Sequence, residues 1–220
     1  MRQLSSFRVV FLVMGNHEPW HSTWDDTKQT IHQIEIEIQQ EREKKGGIGE
    51  FVVLDRTCYE LRGVSGENIT ILGCTLFSKV PAESMEMVSF GVNDFYHTAD
   101  WTVENHNAEF ERDLGWLNEK VTSLKDSGQK VVILTHHSPT LDERATDPKH
   151  LKSPIQSGFA TDLGSEPCWL SDIVKVWAFG HTHFNCDFED EKTGKRVIAN
   201  QRGYYFSQST GFVDNKVIVI

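Results

Sequence analysis

Nowhere in these 220 residues is there an apolar run approaching the roughly 20 residues of a membrane-spanning helix. Basic charge is also short. Lys and Arg number 22 against 32 Asp and Glu, a formal net charge of −10, so the basic stripe of a nucleic-acid surface is missing. An acidic total still leaves room for a phosphorylated ligand, because a bound cation offsets charge locally. Cysteine is sparse: Cys58, Cys74, Cys168 and Cys186 lie far apart with no Cys-x-x-Cys pair. That excludes a zinc ribbon and a dense disulfide framework, and it fits a reducing, cytoplasmic setting. No internal repeat, low-complexity tract or compositional break divides the chain, so residues 1–220 read as one domain. The opening "MRQLSSFRVVFLVM" places Arg2 and Arg8 before an apolar stretch, as a secretory leader does. Its apolar core is too short and no small-residue cleavage site follows, so it reads as a strand.

What is present alternates between two periods. Val9–Met14 is a continuous, β-branched-rich apolar run, the pattern of a strand covered on both faces. Thr23 to Lys45 reads as a helix with Trp24, Ile31, Ile34 and Ile38 on its inner face, stopped by Gly46-Gly47. Phe51–Leu54, Cys58–Val64 and Ile69–Phe77 read as strands, with "SGEN" at 65–68 as a hairpin turn. Phe110, Leu114, Leu117, Val121 and Leu124 mark a second amphipathic helix, ended by Gly128. "KVVILT" (130–135) and "IVKVWAFG" (173–180) are further buried strands, and a hairpin is expected around Lys192–Lys195. Strands, crossover helices and strands again make an α/β domain.

Three of these strands end alike. Val9–Met14 runs into Gly15-Asn16-His17-Glu18, 130–135 into His136-His137-Ser138-Pro139, and 173–180 into His181-Thr182-His183. Ligand sites of open α/β sheets lie outside the carboxyl ends of the strands, where such tips converge. An amide oxygen and neutral imidazoles together suit a borderline divalent cation such as Zn²⁺, Mn²⁺ or Fe²⁺. On an extended segment His181 and His183 share a face; at a turn they diverge toward two ions.

"GNHE", "VVILTHHSP" and "VWAFGHTHF", in this order, resemble the calcineurin-like metallophosphoesterase superfamily. "ITILGCTLFS" (69–78), "VNDF" (92–95), "LGWLNEKV" (114–121) and "NQRGY" (200–204) are similar to its small-phosphoesterase branch. The resemblance implies a two-sheet α/β sandwich flanked by helices, with a two-metal site (Mn, Fe or Zn) at the strand ends. It implies hydrolysis of a phosphomonoester or phosphodiester, with a small phosphorylated molecule or nucleotide as substrate. Carried over, Asn16 and His181 bind the second metal and His183 the first. His136 is favoured as a further second-metal ligand because it directly follows the strand, with His137 the alternative. His17 is the catalytic group over the phosphate, hydrogen-bonding a phosphoryl oxygen or protonating the leaving alkoxide, and Glu18 orients it. Gly15 and Gly180 are expected to let the backbone approach the ions.

The family pattern also has an Asp-x-His and a Gly-Asp-x-x-Asp block ahead of GNHE, which supply the first metal and the bridge. Neither Asp-x-His nor Gly-Asp occurs in this sequence. The expectation is an N-terminally incomplete domain lacking the first strands of one sheet, binding at most one ion and hydrolysing near background. The alternative is a non-catalytic pseudo-phosphoesterase acting as a metal-dependent binding module. Asn93, Asp94 and His97 are candidates for the pocket wall, and Arg202 is a candidate phosphate contact. His21, His32, His106 and His150 carry no motif and are assigned no site role.

Overall fold

The computed structural model describes residues 2–63 and 66–220. Strand β1 (Val9–Leu12) leads to helix α1 (Trp24–Lys45), and the chain returns as β2 (Glu50–Val53), parallel to β1. Thr23 caps α1 by accepting the Asp26 N–H at 3.1 Å, and Asp25 and Asp26 occupy the first turn, where they favour the helix dipole. Gly46, at φ +64°, ends it. Ile34 is exposed rather than on the inner face. Its neighbour Glu35 turns inward instead, because the Val53 N–H of β2 needs an acceptor and finds the Glu35 carboxylate at 2.7 Å.

Strands β3 (Thr57–Arg62) and β4 (Asn68–Cys74) pair antiparallel. The expected turn at 65–68 and the strand end at Val64 fall partly outside the described residues. Two short helices, α2 (Met85–Gly91) and α3 (Asp94–His97), precede the long α4 (Val103–Leu124). Thr102 and Asn105 form a reciprocal capping box at the start of α4. Next come β5 (Lys130–Thr135), the short α5 (Pro167–Leu170) and β6 (Val174–Phe179). The expected hairpin is β7 (Cys186–Glu189) with β8 (Arg196–Ala199), and a small ribbon of β9 (Gly203–Tyr204) and β10 (Ser207–Gln208) follows.

Six strands form one sheet in the order β3-β4-β5-β6-β8-β7, with β4, β5, β6 and β8 mutually parallel. Alternating side chains send Ile71, Val132, Val176 and Ile198 to one face, where Val52 and Leu54 cover them with Val9 and Phe11 of β1. The other face carries Leu72, Val131, Ile133, Trp177 and Val197 and packs on Trp24 of α1 and Phe110, Leu117 and Val121 of α4. Each such side chain is worth about 1.5–3 kcal/mol on burial. The expected two-sheet sandwich is therefore present, with a second sheet of two strands. Among the described residues β1 pairs only with β2. No helix there is long and apolar enough to cross a membrane.

The apolar runs overshoot the strands. Val13, Met14 and Thr75–Phe77 have already left the ladder, because the chain turns there to form the tips. Lys195, at the expected hairpin, is buried: its ammonium lies 5.1 Å from the Trp169 ring centre and donates to the Trp169 carbonyl.

Candidate metal centre

The strand tips are laced together by backbone. Thr75, just past β4, donates its hydroxyl to the Met14 carbonyl at 2.9 Å. Its own carbonyl accepts the N–H groups of His136 at 3.0 Å and His137 at 3.1 Å. The His136 carbonyl in turn accepts the Gly180 N–H at 2.9 Å, tying β5 to β6. The tips after β1, β5 and β6 are thereby held at one end of the sheet.

Three side-chain atoms meet in this place. Asn16 Oδ1 lies 2.8 Å from His136 Nε2 and 3.2 Å from His181 Nδ1, and the two imidazole nitrogens are 3.1 Å apart. Burial pushes His136 down to about 3 and His181 well below the usual histidine range, so both rings are neutral. The amide oxygen carries no proton, and each neutral ring carries one N–H, so a ring with that hydrogen on its far nitrogen turns a lone pair to the shared space. Two ligands about 2.1 Å from one ion, at right angles, stand about 3 Å apart, and the three separations match that spacing. The donor set therefore fits a divalent ion. Because one donor is an amide, it is no cluster of three His, Cys, Asp or Glu, and none occurs among the described residues.

Of the THHSP segment it is the His136 ring, not the His137 ring, that meets Asn16 and His181. His137 is fully buried behind it, 4.2 Å from the His181 ring, and both its nitrogens lack partners, as does His181 Nε2. Behind His137 lies His106, also buried, whose ring meets the Ser78 N–H at 3.1 Å and which burial lowers to about 4. Nothing in the sequence around His106 marks it; only the packing of α4 on the sheet brings it here.

His183 does not join the three. His181 and His183 sit at φ +66° and +50°, so the segment is a turn and their side chains diverge. Left-handed conformations cost non-glycine residues about 1–3 kcal/mol each and persist where surroundings impose them. Gln201 imposes this one: it accepts the His183 N–H at 2.7 Å and donates to Thr182 Oγ1 at 3.0 Å and the Phe184 carbonyl at 3.1 Å. His183 is solvent-exposed, so His183→Gly should leave folding stability unchanged or raise it by up to about 1 kcal/mol, read by denaturant titration.

His17 is exposed, its ring 3.9 Å from Trp20 and 6.0 Å from Tyr204. The expected Glu18–His17 pairing is not formed. Glu18 instead accepts the Gly15 N–H at 2.7 Å, because the turn leaves that donor without a strand partner. Asn93 and Asp94 line the cleft as expected; His97 does not, stacking behind Trp20 at 4.7 Å. Arg202 is also off the cleft, and Gln201 and Tyr204 are the residues of "NQRGY" that reach the site. His150, assigned no role, stands on the rim.

Gly15 is required by space rather than by backbone conformation. A Cβ there would fall 2.4 Å from His136 Cε1 and 2.6 Å from Nδ1. Gly15→Ala should displace the imidazole and weaken divalent-ion binding at least about tenfold, at a stability cost of about 1–3 kcal/mol. Calorimetry and thermal melting read the two effects. At Gly180 the same Cβ would make only ordinary contacts, at 3.5 and 3.7 Å, so close backbone approach does not explain that glycine.

A protein of Acanthamoeba polyphaga mimivirus, described as uncharacterized, is 25% identical over 206 residues, covering 89% of this chain and 68% of its own length. A solved dimetal phosphatase from Danio rerio shares 14% identity at a TM-score of 0.38, over 87% of this chain and 71% of that one. The calcineurin-like phosphoesterase model matches residues 1–185, a span that includes Asn16, His17, His136, His181 and His183. By that match the chain belongs to the calcineurin-like phosphoesterase family, metal-dependent hydrolases of phosphoric esters.

Proposed function

We propose that this chain holds a single divalent ion (Mn, Fe or Zn) on Asn16 Oδ1, His136 Nε2 and His181 Nδ1, and acts there on a small phosphoester. The observation that carries this reading is the convergence of those three atoms at 2.8 to 3.2 Å. When bound, such an ion polarises a phosphoryl oxygen and lowers the pKa of a water. The side chains supply the rest. His17, exposed at the mouth against Trp20, is placed to donate a proton to the leaving oxygen, and the Tyr204 ring beside it limits how a substrate enters.

The cleft, about 740 Å³, has room for a nucleotide-sized ester. Its outer wall is built from hydroxyls and amides, among them Thr146, Ser153, Gln156 and Gln208, with Lys149 and His150 as the basic groups. Val92, Ile155, Phe159 and Phe184 add an apolar part, so the lining suits a leaving group with both polar and apolar faces.

Catalytic power in this chain is expected to be low. The carboxylates nearest the donors are already engaged, Glu18 on the Gly15 amide and Asp94 on Asn16. Bridging a second cation with either would compete with those contacts. Titration with Mn²⁺ should give one ion per chain, and hydrolysis of p-nitrophenyl phosphate and its bis ester should stay near background. Two ions per chain, or rapid turnover, overturns the impaired reading; no ion at all removes the centre. Tight binding of one ion without turnover of any ester favours the non-catalytic binding module, for which the engaged carboxylates speak.

A further inference from the structure

The carboxylate of Asp94, at the start of α3, is 4% exposed and meets two donors at one oxygen. Asn16 Nδ2 donates to Asp94 Oδ1 at 2.7 Å, and Trp20 Nε1 donates to the same atom at 3.2 Å. The first contact settles which end of the Asn16 amide faces the histidines. With Nδ2 spent on Asp94, only Oδ1 remains to face His136 and His181. The second fixes the indole that carries the His17 ring at 3.9 Å.

We propose that Asp94 is the positioning residue of this site, one carboxylate oxygen setting both the orientation of the Asn16 donor and the platform under His17. The inference rests on the metal-centre reading above. An amide rotated by half a turn would present an NH₂ group, which cannot ligate a cation, so orientation here amounts to presence or absence of a donor. Asp94 also draws on the Nδ2 hydrogens and so increases the negative charge of Oδ1, as outer carboxylates do for metal-binding histidines. Asp94, almost fully buried in the cleft wall, acts through Asn16 and Trp20.

The test is a set of variants read by Mn²⁺ calorimetry and, without metal, by hydrogen exchange of the Trp20 indole N–H, assigned with Trp20→Phe. Asp94→Ala should weaken Mn²⁺ about 10- to 100-fold and expose the indole to exchange. In an Asn16→Asp background the ligand has two equivalent oxygens and no N–H, so Asp94→Ala should cost no affinity. Asp94→Asn keeps an accepting oxygen and folds where alanine does not; it should retain indole protection and lose less than about tenfold in affinity. The proposal is overturned if Asp94→Ala binds Mn²⁺ within twofold of the parent (~2-fold is the expected scatter of such comparisons). Equal loss in the Asn16→Asp background overturns it too, as does unprotected indole in Asp94→Asn with full affinity. A parent that binds no Mn²⁺, yet shows an indole protected only when Asp94 is present, removes the metal-centre reading and leaves the positioning role standing.

Discussion

Replacing His136 by alanine is expected to lower divalent-ion affinity by at least about 100-fold while leaving the fold intact, and His137→Ala is expected to do the reverse. Loss of outer-shell partners alone costs about 10- to 100-fold in affinity, and a direct donor lies at or beyond the top of that range. His136 is half-buried, and its ring presses on Gly15, so truncation vacates a crowded spot rather than a sealed one. Its backbone ties, N–H to Thr75 and carbonyl from Gly180, survive the change. His137 is fully buried against Phe77, His106 and His181, and its truncation leaves a cavity worth about 2–5 kcal/mol. Calorimetry with Mn²⁺ beside thermal melting separates the two residues. If His137→Ala loses the ion and His136→Ala keeps it, the donor assignment is wrong.

The pairing of adjacent histidines shows where one-dimensional reading ends. Strand existence was legible because buried strands need continuous apolar runs, and the tips were legible because polar clusters ended those runs three times. Which of two neighbouring imidazoles faces outward was not, since it depends on the twist of the chain as it leaves β5. The same applies to Glu18. Proximity in sequence to His17 suggested a pair, yet the unpaired Gly15 N–H is the stronger claimant for a carboxylate. Asp94 and His106 lie 78 and 28 residues from Asn16 and Ser78 respectively, and no local period announces contacts over such separations. Strand ends were overread for a physical reason as well: Val13 is half-buried and Met14 buried, but their backbone already turns toward the site.

Trp177→Ala is expected to be the most destabilising single change in the core, by about 3–5 kcal/mol. The side chain is fully buried on β6, packs beside Trp169 at 5.5 Å, and lies on the sheet face that α4 covers. For a chain of this size each kcal/mol moves the melting temperature by about 2–4 °C, so a fall of about 6–20 °C should appear by circular dichroism. The indole also works at a distance. Its N–H donates to Thr135 Oγ1 at 3.0 Å, and that hydroxyl donates to the His137 carbonyl at 3.0 Å, one residue past the His136 donor. Trp177→Phe keeps an aromatic ring but removes the N–H together with part of the indole, so it should cost about 1–3 kcal/mol while loosening the β5 tip. Divalent-ion affinity in Trp177→Phe then reports whether core packing sets the site. Weakened binding with a nearly native melting temperature makes the Trp177–Thr135–His137 chain part of the centre's support. Unchanged binding confines Trp177 to the core and leaves Thr75 and Gly180 as the ties that hold His136 in place.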